Sequence, residues 1–109
     1  MSKKEFTKQI GTSGFERIRV KLTIGKGELK DFVFQYESFI NSHWREIVRY
    51  DLAHGFFHRD IISPKGEITK TRIEITNLLA AAFFAEQDIK DKWEFYKAKY
   101  LKELKPKSK

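Results

Sequence analysis

Phe15-Glu16-Arg17-Ile18-Arg19-Val20-Lys21-Leu22-Thr23-Ile24 alternates without a break, Ile18, Val20, Leu22 and Ile24 on one side and Arg17, Arg19, Lys21 and Thr23 on the other. Successive side chains of a strand point to opposite faces, so this stretch is a half-buried β-strand with one apolar and one basic face. On its N-terminal side, residues 1–14 are polar and contain Gly11 and Gly14, the composition of a loose, flexible arm. On its C-terminal side, Gly25-Lys26-Gly27-Glu28 is a turn, and Leu29–Ile40 is a second β-rich run with Phe32, Phe34 and Tyr36 in alternation. Asn41-Ser42 punctuates before Trp44–Leu52, a third run that puts Trp44, Val48, Tyr50 and Leu52 on one face and Arg45, Ile47, Arg49 and Asp51 on the other. Beyond Ala53-His54-Gly55 lie Phe56–Ile62, a turn at Ser63–Gly66, and one further candidate strand at Glu67–Ile75.

The period then changes. Thr76 or Asn77 is a suitable N-cap, and Leu78, Ala82, Ala85, Ile89, Trp93, Tyr96, Tyr100 and Leu104 recur at steps of three and four, the spacing of one helical face. The pattern fits one long helix or two joined near Gln87-Asp88. The chain is therefore expected to be α+β, with a single domain over residues 15–104: an antiparallel four- or five-stranded β-meander followed by a long or kinked C-terminal helix. The basic tail, residues 105–109 with Pro106, is expected to fray.

With 109 residues, the chain has room for one domain, and its ten Phe, four Tyr and two Trp suffice for a real core. No apolar run approaches the roughly 18 to 20 residues of a membrane span, and the polar N-terminus lacks a signal-type stretch, which points to the cytoplasm. The absence of cysteine removes disulfides, thiol nucleophiles and Cys-based metal sites. No glycine-rich phosphate loop is present. The charge of +7, from 22 Lys and Arg against 15 Asp and Glu, suits an anionic partner.

All three histidines lie between His43 and Asp60. If His54-Gly55 is the tip of a hairpin, Asp51 lies opposite His58, Tyr50 opposite Arg59 and Arg49 opposite Asp60. Arg49, Asp51, His58 and Asp60 then share a face, where Arg49 pairs with Asp60 and Asp51 orients His58 through a ring N–H. Three chemistries fit the cluster. One is a solvated sheet face with cross-strand ion pairs. Another is acid–base cleavage of a phosphodiester by His54 and His58, with Arg49 and Arg59 clamping phosphate. The third is a metal site from His54, His58 and Asp51 or Asp60, the weakest because the ligands straddle a hairpin. Arg17, Arg19 and Lys21, joined by Arg45 and Arg49 if the strands are neighbours, form a basic stripe of the kind that phosphates need.

The segment Arg49-Tyr50-Asp51-Leu52-Ala53-His54-Gly55-Phe56-Phe57-His58-Arg59-Asp60 resembles the signature of small uncharacterised prokaryotic proteins, Tyr-Asp-x-x-His-Gly-x-x-His-Arg, and is similar to that of the TumE-type toxins of toxin–antitoxin operons. In that family the motif often closes with His-Arg-His; here Asp60 takes the last position, leaving His54 and His58 as the candidate pair. The resemblance implies a cytoplasmic, toxin-like protein that acts on RNA and is restrained by a cognate antitoxin, commonly a helix-turn-helix protein. The expectation is therefore an RNA-binding protein or metal-independent endoribonuclease without cofactor. Catalytic candidates are His54, His58, Asp51 and Tyr50, and RNA-binding candidates are Arg49, Arg59, Arg45, Arg17, Arg19 and Lys21. A non-catalytic interaction or nucleic-acid-binding module is the alternative. The Trp93, Phe95, Tyr96 and Tyr100 rings, on a helix longer than a small sheet can cover, suggest a homodimer or a partner contact through that helix.

Overall fold

The computed structural model of the chain describes residues 1–104, apart from the side chain of His54; the expected basic tail lies outside the described residues. The polar segment expected to be a loose arm is instead a strand. This strand, β1 (Ser2–Gln9), pairs antiparallel with β2 (Glu16–Gly25), Phe6 facing Val20 and Lys8 facing Ile18. Its only large apolar residue after Met1 is Phe6, so it carries no apolar period; the backbone ladder to β2 and the 2.6 Å ion pair of Lys8 with Glu86 hold it. The sheet accordingly has six strands. After β2 come β3 (Glu28–Ile40), β4 (His43–Asp51), β5 (His58–Ile62) and β6 (Ile68–Arg72), in sequential antiparallel order throughout. The β3–β4 turn is tight because Asn41 and Ser42 both take positive φ, 52° and 69°, the left-handed geometry that matches strand twist.

A β-bulge in β4 alters the expected faces. Tyr36 pairs with Val48, but Glu37 pairs with Glu46, leaving Ile47 as the extra residue. Beyond it, every side chain toward the β4 start is inverted. Trp44 thus lies opposite Phe39 on the face that carries Arg49, while Arg45 lies opposite Ser38 on the other. Both placements reverse the strict alternation expected for 44–52.

One uninterrupted helix, α1 (Leu78–Leu104), covers the apolar face. Asn77 Oδ1 accepts the Ala80 N–H at 2.9 Å and caps its start. Ala81, Ala85, Ile89, Tyr96 and Tyr100 sink against Ile18, Val20, Phe34, Tyr36, Val48 and Tyr50. At about 1.5 Å per residue α1 is about 40 Å long, and the 13 residues of β3 at about 3.3 Å match it. The sheet therefore supports the helix as far as Tyr100 and Leu104. Gly11, with φ +65°, turns the chain after β1 so close to Trp93 that a Cβ would sit 3.0 Å from the indole. Among the described residues, no helix is long and apolar enough to cross a membrane.

Candidate functional site

The register expected around the motif is present: Asp51 pairs with His58, Tyr50 with Arg59 and Arg49 with Asp60. The connection is wider than a two-residue tip, because Ala53–Gly55 forms a short 3₁₀ turn closed by the Gly55 N–H to the Leu52 carbonyl at 3.1 Å. Gly55 takes φ +83°, which few other residues adopt without strain.

Asp51 and His58 hold this turn from below. Asp51 Oδ1 accepts the Ala53 N–H at 3.1 Å and lies 2.8 Å from His58 Nε2, while Oδ2 accepts from Arg49 Nε at 2.8 Å. The other nitrogen of His58, Nδ1, lies 3.3 Å from the Phe56 carbonyl oxygen. The pair therefore grips the turn at its beginning and its end. His58 is 1% exposed, and each ring nitrogen faces an oxygen acceptor. An imidazole so engaged orients its surroundings and has no ring nitrogen directed to solvent for proton exchange with a substrate. The partners around it differ from expectation in one respect. Arg49 turns to Asp51 and to Glu46, at 3.7 Å, while Asp60 is met by Lys70 at 2.9 Å and by His58 at 3.7 Å. Arg49 and Asp51 lie two residues apart on one face of β4, so their pairing requires no cross-strand reach.

Tyr50 and Arg59 occupy the opposite face, beneath α1. Asp88 Oδ2 accepts from the hydroxyls of Tyr50 and Tyr96, each at 2.5 Å, and Arg59 Nη1 donates to Tyr96 at 3.4 Å. Burial, aided by the hydrogen bond to Asp88, pushes the Tyr50 hydroxyl far above the ordinary tyrosine range and Tyr96 up to about 12. For Arg59, burial opposes the charge, but the Tyr50 hydrogen bond and the fields of Tyr96 and Asp88 outweigh it and raise its pKa. These two candidates are thus separated by the sheet from Asp51 and His58. The side chain of His54, the remaining catalytic candidate, lies outside the described residues; its backbone sits in the 3₁₀ turn.

The open face carries Lys3, Arg17, Arg19, Lys21, Arg49, Lys70 and Arg72 against Glu5, Asp31, Glu37, Glu46, Asp51 and Asp60, so its net charge is small and unevenly placed. The basic part is β2, where Arg17 and Arg19 share Glu37 at 2.7 and 4.0 Å. Carboxylates concentrate on β4 and β5. Glu46 faces Glu37 directly across strands, and burial, with a contribution from that like charge, raises its pKa despite Arg49. Arg45, on the other face, donates to the Ile40 carbonyl at 3.2 Å.

Beside the turn, a groove of about 370 Å³ runs between Leu52, Gly55 and Phe56 and the connector from Ile73 to Leu78. Arg72 lies over the Phe56 ring, 4.9 Å from its centroid. Among the described residues, no group of three or more His, Asp or Glu side chains is gathered as a metal would require. Two participants escape sequence reasoning: Asp88, whose signal is a carboxylate interrupting the buried helical face, and Lys70, which has no local signal because only the β5–β6 register brings it to Asp60.

No curated protein and no solved structure matches the chain. A family model does match residues 1–106, nearly its whole length, and the chain belongs to that family, DUF7718, a domain of unknown function.

Proposed function

We propose that the protein is a toxin-like RNA-binding protein of the kind its Tyr50–Arg59 motif resembles, and that RNA meets the Leu52–Phe57 turn. The observation that carries this reading is the grip of Asp51 and His58 on the turn: two buried polar side chains hold the Ala53 N–H and the Phe56 carbonyl, and so fix the short segment around the exposed Gly55 beside a groove. Desolvating a carboxylate and an imidazole to shape six residues costs free energy, and such costs recur where a loop must present a fixed geometry to a ligand. In this reading Asp51 and His58 are positioning residues, and a cleavage step falls to His54, which takes the ribose 2′-OH proton as the 2′ oxygen bonds to phosphorus and the P–O5′ bond breaks; the imidazolium so formed, or water, returns a proton to the leaving 5′ oxygen. A cognate antitoxin would inhibit by covering the turn.

A second reading, a non-catalytic RNA-binding module, is favoured because the enclosure of His58, whose ring nitrogens are both engaged, leaves His54 without a second histidine for acid–base cleavage. Incubation of the protein with single-stranded and structured RNA in EDTA, beside His54→Ala and His58→Ala, separates the two. Cleavage lost in His54→Ala supports the nuclease; RNA retained intact but bound supports the module. Absence of both binding and cleavage by the wild type would sink the RNA assignment.

A further inference from the structure

At the end of the sheet remote from the turn, Phe15, just before β2, Phe39 on β3 and Trp44 on β4 form a ladder on the open face. Phe15 and Phe39 stack nearly parallel, with centroids 5.9 Å apart and planes at 18°, and Phe39 meets Trp44 edge-on at 5.4 Å. Phe15 is 52% exposed and Phe39 37%, although both are large and apolar. The Arg17 guanidinium lies 3.8 Å from the centre of the Trp44 ring, and Arg19 follows on the same strand face. Arg17 and Arg19 have one carboxylate between them, Glu37, and the Arg19 Nε makes no hydrogen bond among the described residues. The next cation on this face of β2, Lys21, stands opposite Glu5 on β1 but makes no ion pair within 4.0 Å among the described residues. Exposed rings, Phe15 and Phe39, beside an arginine whose ion-pair carboxylate stands 4.0 Å away, Arg19, are the two elements that single-stranded nucleic acid recognises: bases stack on the rings and phosphates follow the cations. A neutral, apolar protein surface would reward the rings but would leave Arg19 and Lys21 without counter-charges.

We propose that Phe15, Phe39 and Trp44, with Arg17 and Arg19, form a base-stacking platform for single-stranded RNA, distinct from the turn. The inference rests on the RNA-binding reading and adds a second contact to it. Seven strand steps separate Trp44 from Asp51, about 23 Å at about 3.3 Å each, so the platform and the turn are separate contacts.

The test is titration of the full chain with a fluorescent single-stranded oligoribonucleotide and with the same sequence in duplex form, for the wild type, Phe15→Ala, Phe39→Ala and Phe15→Tyr. Phe15→Ala removes a half-exposed ring, and circular dichroism checks that it folds. Loss of one stacking ring is expected to weaken single-strand binding about tenfold in either alanine variant, with Phe15→Tyr close to wild type. Binding should also quench tryptophan fluorescence, and Trp44→Phe should abolish the quenching. If the wild type binds RNA and both alanine variants bind equally well, the platform is wrong and the RNA reading stands. Equal affinity for duplex would likewise overturn the platform. A wild type that binds no RNA overturns the RNA reading itself. Self-association that disappears in Phe15→Ala, without RNA binding, would assign the corner to a protein contact instead.

Discussion

The two faces of the sheet bury carboxylates to different ends. Beneath α1, Asp88 accepts from Tyr50 and Tyr96, and Glu16 accepts from Tyr36 at 2.7 Å and from Lys97 at 2.5 Å. Each of these clusters joins helix to sheet, so its geometry exists only when both layers are assembled. On the open face, Glu37, Asp51 and Asp60 meet Arg17, Arg49, His58 and Lys70, all from the strands themselves. Those contacts set a turn and a register but do not attach the helix. The same kinds of group therefore act globally on one face and locally on the other.

The sharpest way to break this contrast is Asp88→Ala. It leaves the Tyr50 and Tyr96 hydroxyls buried without their acceptor and should cost about 3 kcal/mol of stability, read from the urea midpoint. A loss under about 1 kcal/mol would mean that the helix is held by apolar packing alone. The helix face should also fail at high pH. Burial raises Tyr36, Tyr50 and Tyr96 above the unfolded value of 10.0, so their contribution is complete below that pH and is lost as pH rises through the folded values. Phenolate absorbance should consequently appear together with unfolding rather than before it.

On the open face, Asp51→Ala should cost about 1–2 kcal/mol and act locally. Hydrogen exchange at the Ala53 amide should accelerate while amides in the middle of α1 keep their protection. Uniform acceleration along the chain would erase the distinction between the faces. The smallest effect is a gain: Glu46→Gln should stabilise by about 0.5 kcal/mol at neutral pH, since it removes a like charge opposite Glu37. Glu46 has a raised folded pKa, so its protonated form favours folding below the unfolded value of 4.5, and this contribution is lost as pH rises through the folded value. The advantage of the variant should therefore vanish in acid.

The helix-side contrast also bears on the expected partner contact through α1. Tyr96 and Tyr100 are buried against the chain's own sheet, and Trp93 packs edge-on to Tyr36. Of the four rings that suggested an intermolecular surface, Phe95 alone stands mostly exposed, at 66%.

Much of this was legible in the residues. Alternation in 15–24 and the stripe from Leu78 to Leu104 determined a meander followed by a helix, because the side-chain periods of strand and helix differ and each leaves a local imprint. The pairing of Asp51 with His58 was legible for the same reason: turn chemistry fixes a hairpin register over a few residues. Tertiary structure decided the rest. β1 has no apolar period and exists because β2 offers it a backbone ladder. A single extra residue, Ile47, sends Trp44 to the basic face and Arg45 away from it. Asp88 looks like a flaw in an apolar stripe until Tyr50, 38 residues earlier, is brought to it. Ladders, bulges and buried hydrogen bonds join positions far apart in the chain, and no window of sequence contains both partners.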